Sequence, residues 1–442
     1  MNLFATSVAL LIPLAINGVH TTKAEHVIPE ILASKNSALG NHKPRTNGIG
    51  SIAYMNKLAK ALPEDGILVE YQRHSLSNSA NPKDEGHGDD RYLAIVLKPD
   101  GSINNIDLGS AARIDEAISK AVKAVEHQLV DAPELLAKVS DLVIQPLREA
   151  TAGAKSCFIS PDGELKRIPF AALSAPSGVK LLGEALQVRL LIRSHDLMDL
   201  AERSKKATQK PLVLANPNFG QAEIVPGLSG SNAFKNNDSV QQSSNHPGVG
   251  EWHPLTGTER EGSTISKLIN AQLLTGKKAT ELAVKNHKAP KILHIASHTY
   301  AFPNQRVGDI SLQKSAIVLA GVNQSNTNSN EDGYLTDKEV AKLNLEGTEM
   351  VVVSNQGTSS LLRAIAAAGA RSSLLSLWSV EDAATVAFME SFYQRLKAGE
   401  GRADALAATQ QEFRNHPIPQ WRQPYYWAAF QLNGDWRPIQ GL

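Results

Sequence analysis

The sequence predicts an α/β protein in which a largely parallel sheet carries helices on both faces and is preceded by a smaller α+β module. Three observations predict it. From residue 211 onward, short apolar runs alternate with stretches of helical spacing. Runs such as MVVVS at 350–354 are apolar at consecutive positions, as a strand buried on both faces requires. Before residue 211 the β-rich runs come first and two amphipathic stretches follow, which suits a meander packed on helices.

Taken in order, residues 67–72, 92–97 and 103–108 read as strands, the last two joined by the turn Pro99-Asp100-Gly101. Residues 114–128 and 132–150 place apolar side chains at helical spacing. Residues 157–159, the turn Pro161-Asp162-Gly163 and residues 168–173 read as a strand, a turn and a short extended element. In the second part, strands are expected at 212–215, 271–274, 292–296, 316–319, 350–354, 373–377 and 427–432. Helices are expected at 259–269, 280–286, 336–343, 360–370, 381–398 and 403–415. Stretches 220–250 and 324–331, rich in Asn and Ser, read as surface loops, and 20–48 as a polar lead-in. The resulting division is 1–48, 49–210 and 211–442, with no solenoid-type repeat.

Composition narrows the function. With 45 Lys and Arg against 44 Asp and Glu, the chain has no global field to attract nucleic acid or an anionic membrane. The lone cysteine, Cys157, excludes an intramolecular disulfide and any zinc site built from several thiolates. The acidic stretch 84–90 (DEGHGDD) lacks calcium-loop spacing and reads as a solvated loop, so neither a metal nor a cofactor is expected. Residues 3–16 have the length of a signal-peptide apolar region but no preceding Lys or Arg, so the cytoplasm is preferred to export and no other run is long enough to span a membrane.

In a doubly wound sheet, ligands meet the residues just beyond the carboxyl ends of the strands. Two ends stand out. ILHIASH at 292–298 puts His294 in a strand and His298 past its end, and MVVVS runs into Asn355-Gln356-Gly357-Thr358-Ser359-Ser360 and then a helix. The ordinary reading of that second loop is a strand-to-helix turn capped by Ser359 or Ser360.

Over residues 50–438 the sequence resembles the CHAT family, a caspase-like group related to separases and gingipains and usually found downstream of helical repeats in bacteria. The matching stretches include LVLANPNFG at 212–220, PLTGTEREGSTISKL at 254–268, LLTGKKATE at 273–281, ILHIASH at 292–298 and IVLAGVN at 317–323. They continue with DGYLTDKEVAKLNLEGTEMVVVS at 332–354, AIAAAGARSSLLSLWSVEDAAT at 364–385 and YYWAAFQLNGDW at 425–436. CFISPDGELKRIPFAAL at 157–173 resembles the family's lead-in module. The resemblance implies a caspase-like fold, with His298 at the general-base position and Gln356 where active members carry a nucleophilic cysteine. A carboxamide has no ionisable proton for the histidine to take, so covalent catalysis there is not expected. Thr299 stands where the family has glycine, and the loop before Leu361 is shortened.

The resemblance assigns peptide binding to Thr299, Ser354, Asn355, Gly357 and Thr358, and lets Glu381 and Asp382 meet a basic side chain. The plainer reading of those two acids is charge at a helix N-terminus. Cys157 reads as a buried apolar residue, not as a replacement nucleophile. The expected function is therefore a pseudopeptidase that acts on a protein or peptide partner by binding it, with strand addition as one mode. The alternatives are an active peptidase with a hydroxyl nucleophile at Ser354 or Thr358 and a structural regulatory subunit of a larger assembly.

Overall fold

The computed structural model describes residues 48–75, 90–202, 205–222, 251–302, 305–307, 310–312, 315–324 and 331–442. The N-terminal apolar run, nearly all of the polar stretches 20–48 and 220–250, the acidic stretch up to residue 89 and residues 325–330 lie outside the described residues. The chain divides into Met1–Lys57 and Leu58–Leu442. The described part of the first unit is helical, within α1 (Gly48–Ala61).

In the second unit, β1 (Gly66–Ser75), β2 (Asp90–Leu97) and β3 (Ile103–Ser110) form the antiparallel meander, with Gly101 at φ 86° in its second turn. Helices α2 (Ala111–Glu126) and α3 (Ala132–Val143) follow. The helix expected to reach residue 150 ends at Val143 because Pro146 supplies no N–H and crowds the preceding turn; a short 3-10 turn, Gln145–Leu147, replaces it. Strands β4 (Ser156–Ser160) and β5 (Gln187–Leu190) run parallel to β1. The extended element expected at 168–173 is instead a tight turn, Phe170–Ala172, opened by Pro169, whose fixed φ suits a turn and whose missing N–H could not join a ladder.

The remaining strands are β6 (Leu212–Pro217), β7 (Gln272–Gly276), β8 (Ile292–Ala296), β9 (Thr299–Ala301), β10 (Gln305–Val307), β11 (Ile310–Leu312), β12 (Ser315–Val318), β13 (Tyr334–Thr336), β14 (Met350–Gln356), β15 (Ser372–Ser376) and β16 (Phe430–Gly434). One eleven-stranded sheet takes the order β3-β2-β1-β4-β5-β16-β15-β14-β8-β6-β7. Segments before and after residue 211 thus share a sheet, joined where Leu190 pairs with Asn433. The run 316–319 is a strand but not of this sheet: β12 forms a separate antiparallel sheet with β13 and β9. The last strand begins at Phe430, not 427, because Pro424–Trp427 is a helical turn.

The consecutive apolar runs are explained by two cores. Val213, Ile292, Met350, Val352 and Leu374 face one way, under α4 (Thr256–Leu268), α7 (Asp382–Lys397) and α8 (Arg402–Arg414). Their neighbours Leu214, Leu293, Val351, Val353 and Leu375 face the other, against α5 (Glu281–Asn286) and α6 (Ser359–Ala367). Alternation along each strand therefore feeds both faces with apolar side chains, each fully buried one contributing about 1.5–3 kcal/mol.

Candidate functional site

Strand β8 pairs in parallel with both β6 and β14, which brings residues 297–299 and 354–358 to the same end of the sheet. The register of β14 against β15 jumps from Val353↔Leu375 to Gln356↔Ser376, so Ser354 and Asn355 bulge from the ladder. A bulge at a strand end re-aims side chains, and here it re-aims both residues. Asn355 Oδ1 accepts from the N–H of Gln356 at 2.8 Å and from Ser379 Oγ at 2.9 Å, which fixes the loop.

Gln356 itself is exposed, while its main chain is held at both ends: Asn355 binds its N–H and the Thr299 hydroxyl donates to its carbonyl. Gly357 donates to the Ser376 carbonyl at 2.7 Å, and a Cβ there would lie 2.9 Å from Leu375 Cβ, so the close approach requires glycine. The cap of α6 is Thr358, one residue earlier than Ser359: its Oγ1 accepts from the N–H of Leu361 at 3.2 Å. Ser315 Oγ lies 2.6 Å from Thr358 Oγ1 and 3.0 Å from Ser360 Oγ, closing a triangle of hydroxyls.

His298 lies half-buried between the rings of Trp252 and Phe219, at centroid distances of 5.1 and 5.4 Å. Its Nε2 is 2.9 Å from the carbonyl of His253. A carbonyl only accepts, so Nε2 carries a proton. Among the described residues no hydroxyl or thiol reaches His298 with a hydrogen bond. The Glu381 side chain is exposed at the start of α7, whereas Asp382 Oδ2 accepts from the N–H of Gly257 at 3.0 Å. A Cβ on Gly257 would come within 2.4 Å of Asp382 Cβ. Asp382, Ser354 and Asn355 line one small cleft with Leu255, Gly257, Thr258, Glu261 and Ser297. His298, Thr299, Gln356 and Glu381 are not among its walls.

Two features were not anticipated. His294 bridges Tyr393 OH at 3.0 Å and Glu261 Oε1 at 3.1 Å, and all three are buried. Burial, and then the Glu261 charge, hold the Tyr393 phenol well above its ordinary range. A polar residue at an inward position of an apolar strand was the available signal. The second is the segment carrying His253, which crosses the site from outside both strand loops. Cys157 is buried in β4, paired with Ile67, and burial pushes its thiol up to about 12.

A mostly parallel α/β sheet with a histidine loop and a bulged loop on neighbouring strand ends defines a caspase-like domain. The profile of the CHAT domain matches residues 133–435, and the chain belongs to that family. It is 23% identical over 436 residues to tetratricopeptide repeat protein 28 of Homo sapiens, covering 84% of this chain and 16% of the relative. The mouse protein of the same name is 24% identical over 434 residues, with the same coverages. The chain thus spans about a sixth of the length of these relatives. Among solved structures, the Saccharomyces cerevisiae separase–securin complex contains a chain that superposes with a TM-score of 0.52 at 9% identity, over 95% of this chain and 34% of that one. That likeness concerns the fold. No helix among the described residues is long and apolar enough to cross a membrane.

Proposed function

We propose that this CHAT domain is a pseudopeptidase that binds an extended peptide without cleaving it. The observation that carries the reading is the state of His298. Its Nε2 proton is held by the His253 carbonyl, which orients the ring and leaves Nδ1 as the base, but no thiol or hydroxyl of the described residues hydrogen-bonds to the ring. The resemblance puts the missing nucleophile at Gln356, whose side chain is exposed and whose carboxamide cannot take that role. Ser354 and Thr358, the hydroxyls nearest in sequence, do not bond His298; Thr358 is used as a helix cap.

Binding is favoured by what remains. The cleft beside the bulge is lined by the Asp382 carboxylate and the Ser354 hydroxyl, a pair that suits the cationic end of a peptide side chain. The test is a library of fluorescent extended peptides with Arg or Lys at one varied position. Saturable binding, weakened by Asp382→Asn and accompanied by no turnover, is the expected result. Cleavage by the unmodified chain that disappears in His298→Ala would overturn the reading in favour of a peptidase.

A further inference from the structure

The rings of Trp252, Tyr300, Phe302 and Tyr334 pack into one layer beside His298, on a face that neither core uses. Tyr300 of β9 pairs with Ala316 of β12, and Val318 of β12 pairs with Tyr334 of β13, so the pleat puts these side chains on one face of the small sheet. The other face sends Ile317 and Leu335 into the core against α5 and α6. Phe302 packs edge-on against Tyr300 at a centroid distance of 4.8 Å. Trp252 adds the fourth ring, 6.0 Å from Tyr300 and 5.1 Å from His298. Ala316 and Val318 are fully buried, whereas all four rings stay partly exposed.

Hydrogen bonds fix the layer. Asn323 Oδ1 accepts from the Trp252 N–H at 3.0 Å, Asn323 Nδ2 donates to the Trp252 carbonyl at 2.9 Å, and the indole N–H donates to Tyr334 OH at 2.9 Å. A ring held in advance loses little conformational freedom when a ligand packs on it. Tyr334 lies 6.2 Å from Tyr300 and 6.3 Å from Phe302, so the rings fill the space between one another. That excludes a cage around an alkylammonium group, which needs the cation between the ring faces. What the layer offers is its outer surface, and the Trp252–Tyr300 and Tyr300–Phe302 pairs are already edge-to-face, at 79° and 75°. A further ring at about 4.5–7 Å continues such an array, and an aliphatic side chain has no quadrupole with which to do so.

One extended stretch joins this layer to the cleft. His253 precedes Pro254, which favours extended backbone, and Leu255, a wall of the cleft, is extended at φ −97° and ψ 93°. The three steps from Trp252 to Leu255 span about 10 Å, a distance that a bound peptide in extended form also covers in three residues. We propose that Trp252, Tyr300, Phe302 and Tyr334 form a second subsite of the peptide groove, which selects an aromatic side chain about three positions from the basic residue held at Asp382. The proposal rests on the peptide-binding reading above. Binding itself tests that reading, and a ratio of two affinities tests this one.

The experiment uses the full chain and fluorescent peptides with a single Arg, in which either Phe or Leu is walked through the positions on both sides. The Phe peptide should bind about three- to tenfold more tightly than its Leu counterpart about three positions from the Arg on one side, and the two should bind equally elsewhere. Tyr300→Leu and Phe302→Leu keep apolar side chains and remove a ring, so each should bring the preference down toward equality. Both peptides are titrated into the same sample, so any loss of folded protein cancels from the ratio. Asp382→Asn should weaken both peptides alike. Saturable binding of the Leu series with no preference for Phe at any position would overturn the subsite and leave the peptide-binding reading standing, while binding of neither series would overturn both. A preference that survives both variants would overturn the proposal, as would a concentration-dependent dimer in sedimentation that Tyr300→Leu abolishes, which would give the aromatic face to a second copy of the chain.

Discussion

The hydroxyl of Thr299 donates to the main-chain carbonyl of Gln356, so the histidine loop and the bulged loop hold each other. Thr299 opens β9 on the small sheet and Gln356 closes β14 on the large one, and this bond ties the two loops together. A glycine at 299 could not make it. Thr299→Val, which keeps the shape and loses the hydroxyl, is expected to cost about 1 kcal/mol in denaturant unfolding. Because the acceptor is a backbone atom, Gln356→Ala should cost less than Thr299→Val. The reverse order would mean that the Gln356 side chain, not its carbonyl, carries the contact.

Gln356→Cys restores the thiol that the resemblance places at this position. The side chain is exposed, so the new thiol should alkylate readily while Cys157 does not. Because no hydrogen bond joins the His298 ring to residue 356, the thiol should titrate near its ordinary value of about 8.5 and show no peptide turnover. A thiol titrating below about 7 would show that His298 Nδ1 pairs with it, against the pseudopeptidase reading.

Cys157 tests the buried half of the sheet. Burial raises its thiol from 9.0 to about 12, which at pH 8 cuts the thiolate population about a thousandfold. Native protein should therefore react with iodoacetamide far more slowly than urea-unfolded protein. Equal rates would place the thiol at the surface. Cys157→Ser puts a hydroxyl in an apolar setting between β1 and β5 and should lower stability by about 1–3 kcal/mol.

Much of this was legible because of where the strands lie. Residues 292–296 read as a strand and are one, since β8 is buried on both faces and its composition alone marks it. A short apolar run does not declare its neighbours, so 316–319 reads as a strand of the main sheet although β12 pairs with β9 and β13. The Pro146 helix end and the Pro169 turn were readable from proline chemistry but hidden by apolar spacing that continues through them. The resemblance singled out His298, Thr299 and Gln356, yet the His253 carbonyl lies 45 residues away in sequence from His298 and belongs to the main chain. No pattern of side-chain types reveals a contact of that kind.

The turn before β13 is held by a charge cluster whose strength depends on pH. Lys285, buried in α5, meets Glu281 at 3.0 Å, Glu331 at 3.2 Å and Glu339 at 2.9 Å, and Glu281 Oε1 accepts from the Gly333 N–H at 2.5 Å. One cation among three carboxylates leaves an excess of negative charge in a buried place. Burial, reinforced by Asp332, Glu331 and Glu339 and opposed by Lys285, pushes Glu281 up from 4.5 to about 8. The folded state then keeps this proton to a higher pH than the unfolded chain does. Its stabilising contribution is whole below about pH 4.5 and is lost as pH rises through about 8. The urea midpoint should accordingly fall between pH 5 and 8. Glu281→Gln keeps an acceptor for Gly333 and cannot ionise, so it should flatten that part of the curve. Asp115, Asp196 and Glu331, also raised by burial, slope the same way but remain in the variant, so the difference between the two curves reads Glu281. Lys285→Met leaves the Glu331 and Glu339 carboxylates without their cation and should cost about 1.5–3 kcal/mol near neutral pH. Parallel curves for the unmodified chain and Glu281→Gln would mean that Glu281 is ionised in the folded state across this range, with Lys285 outweighing its burial.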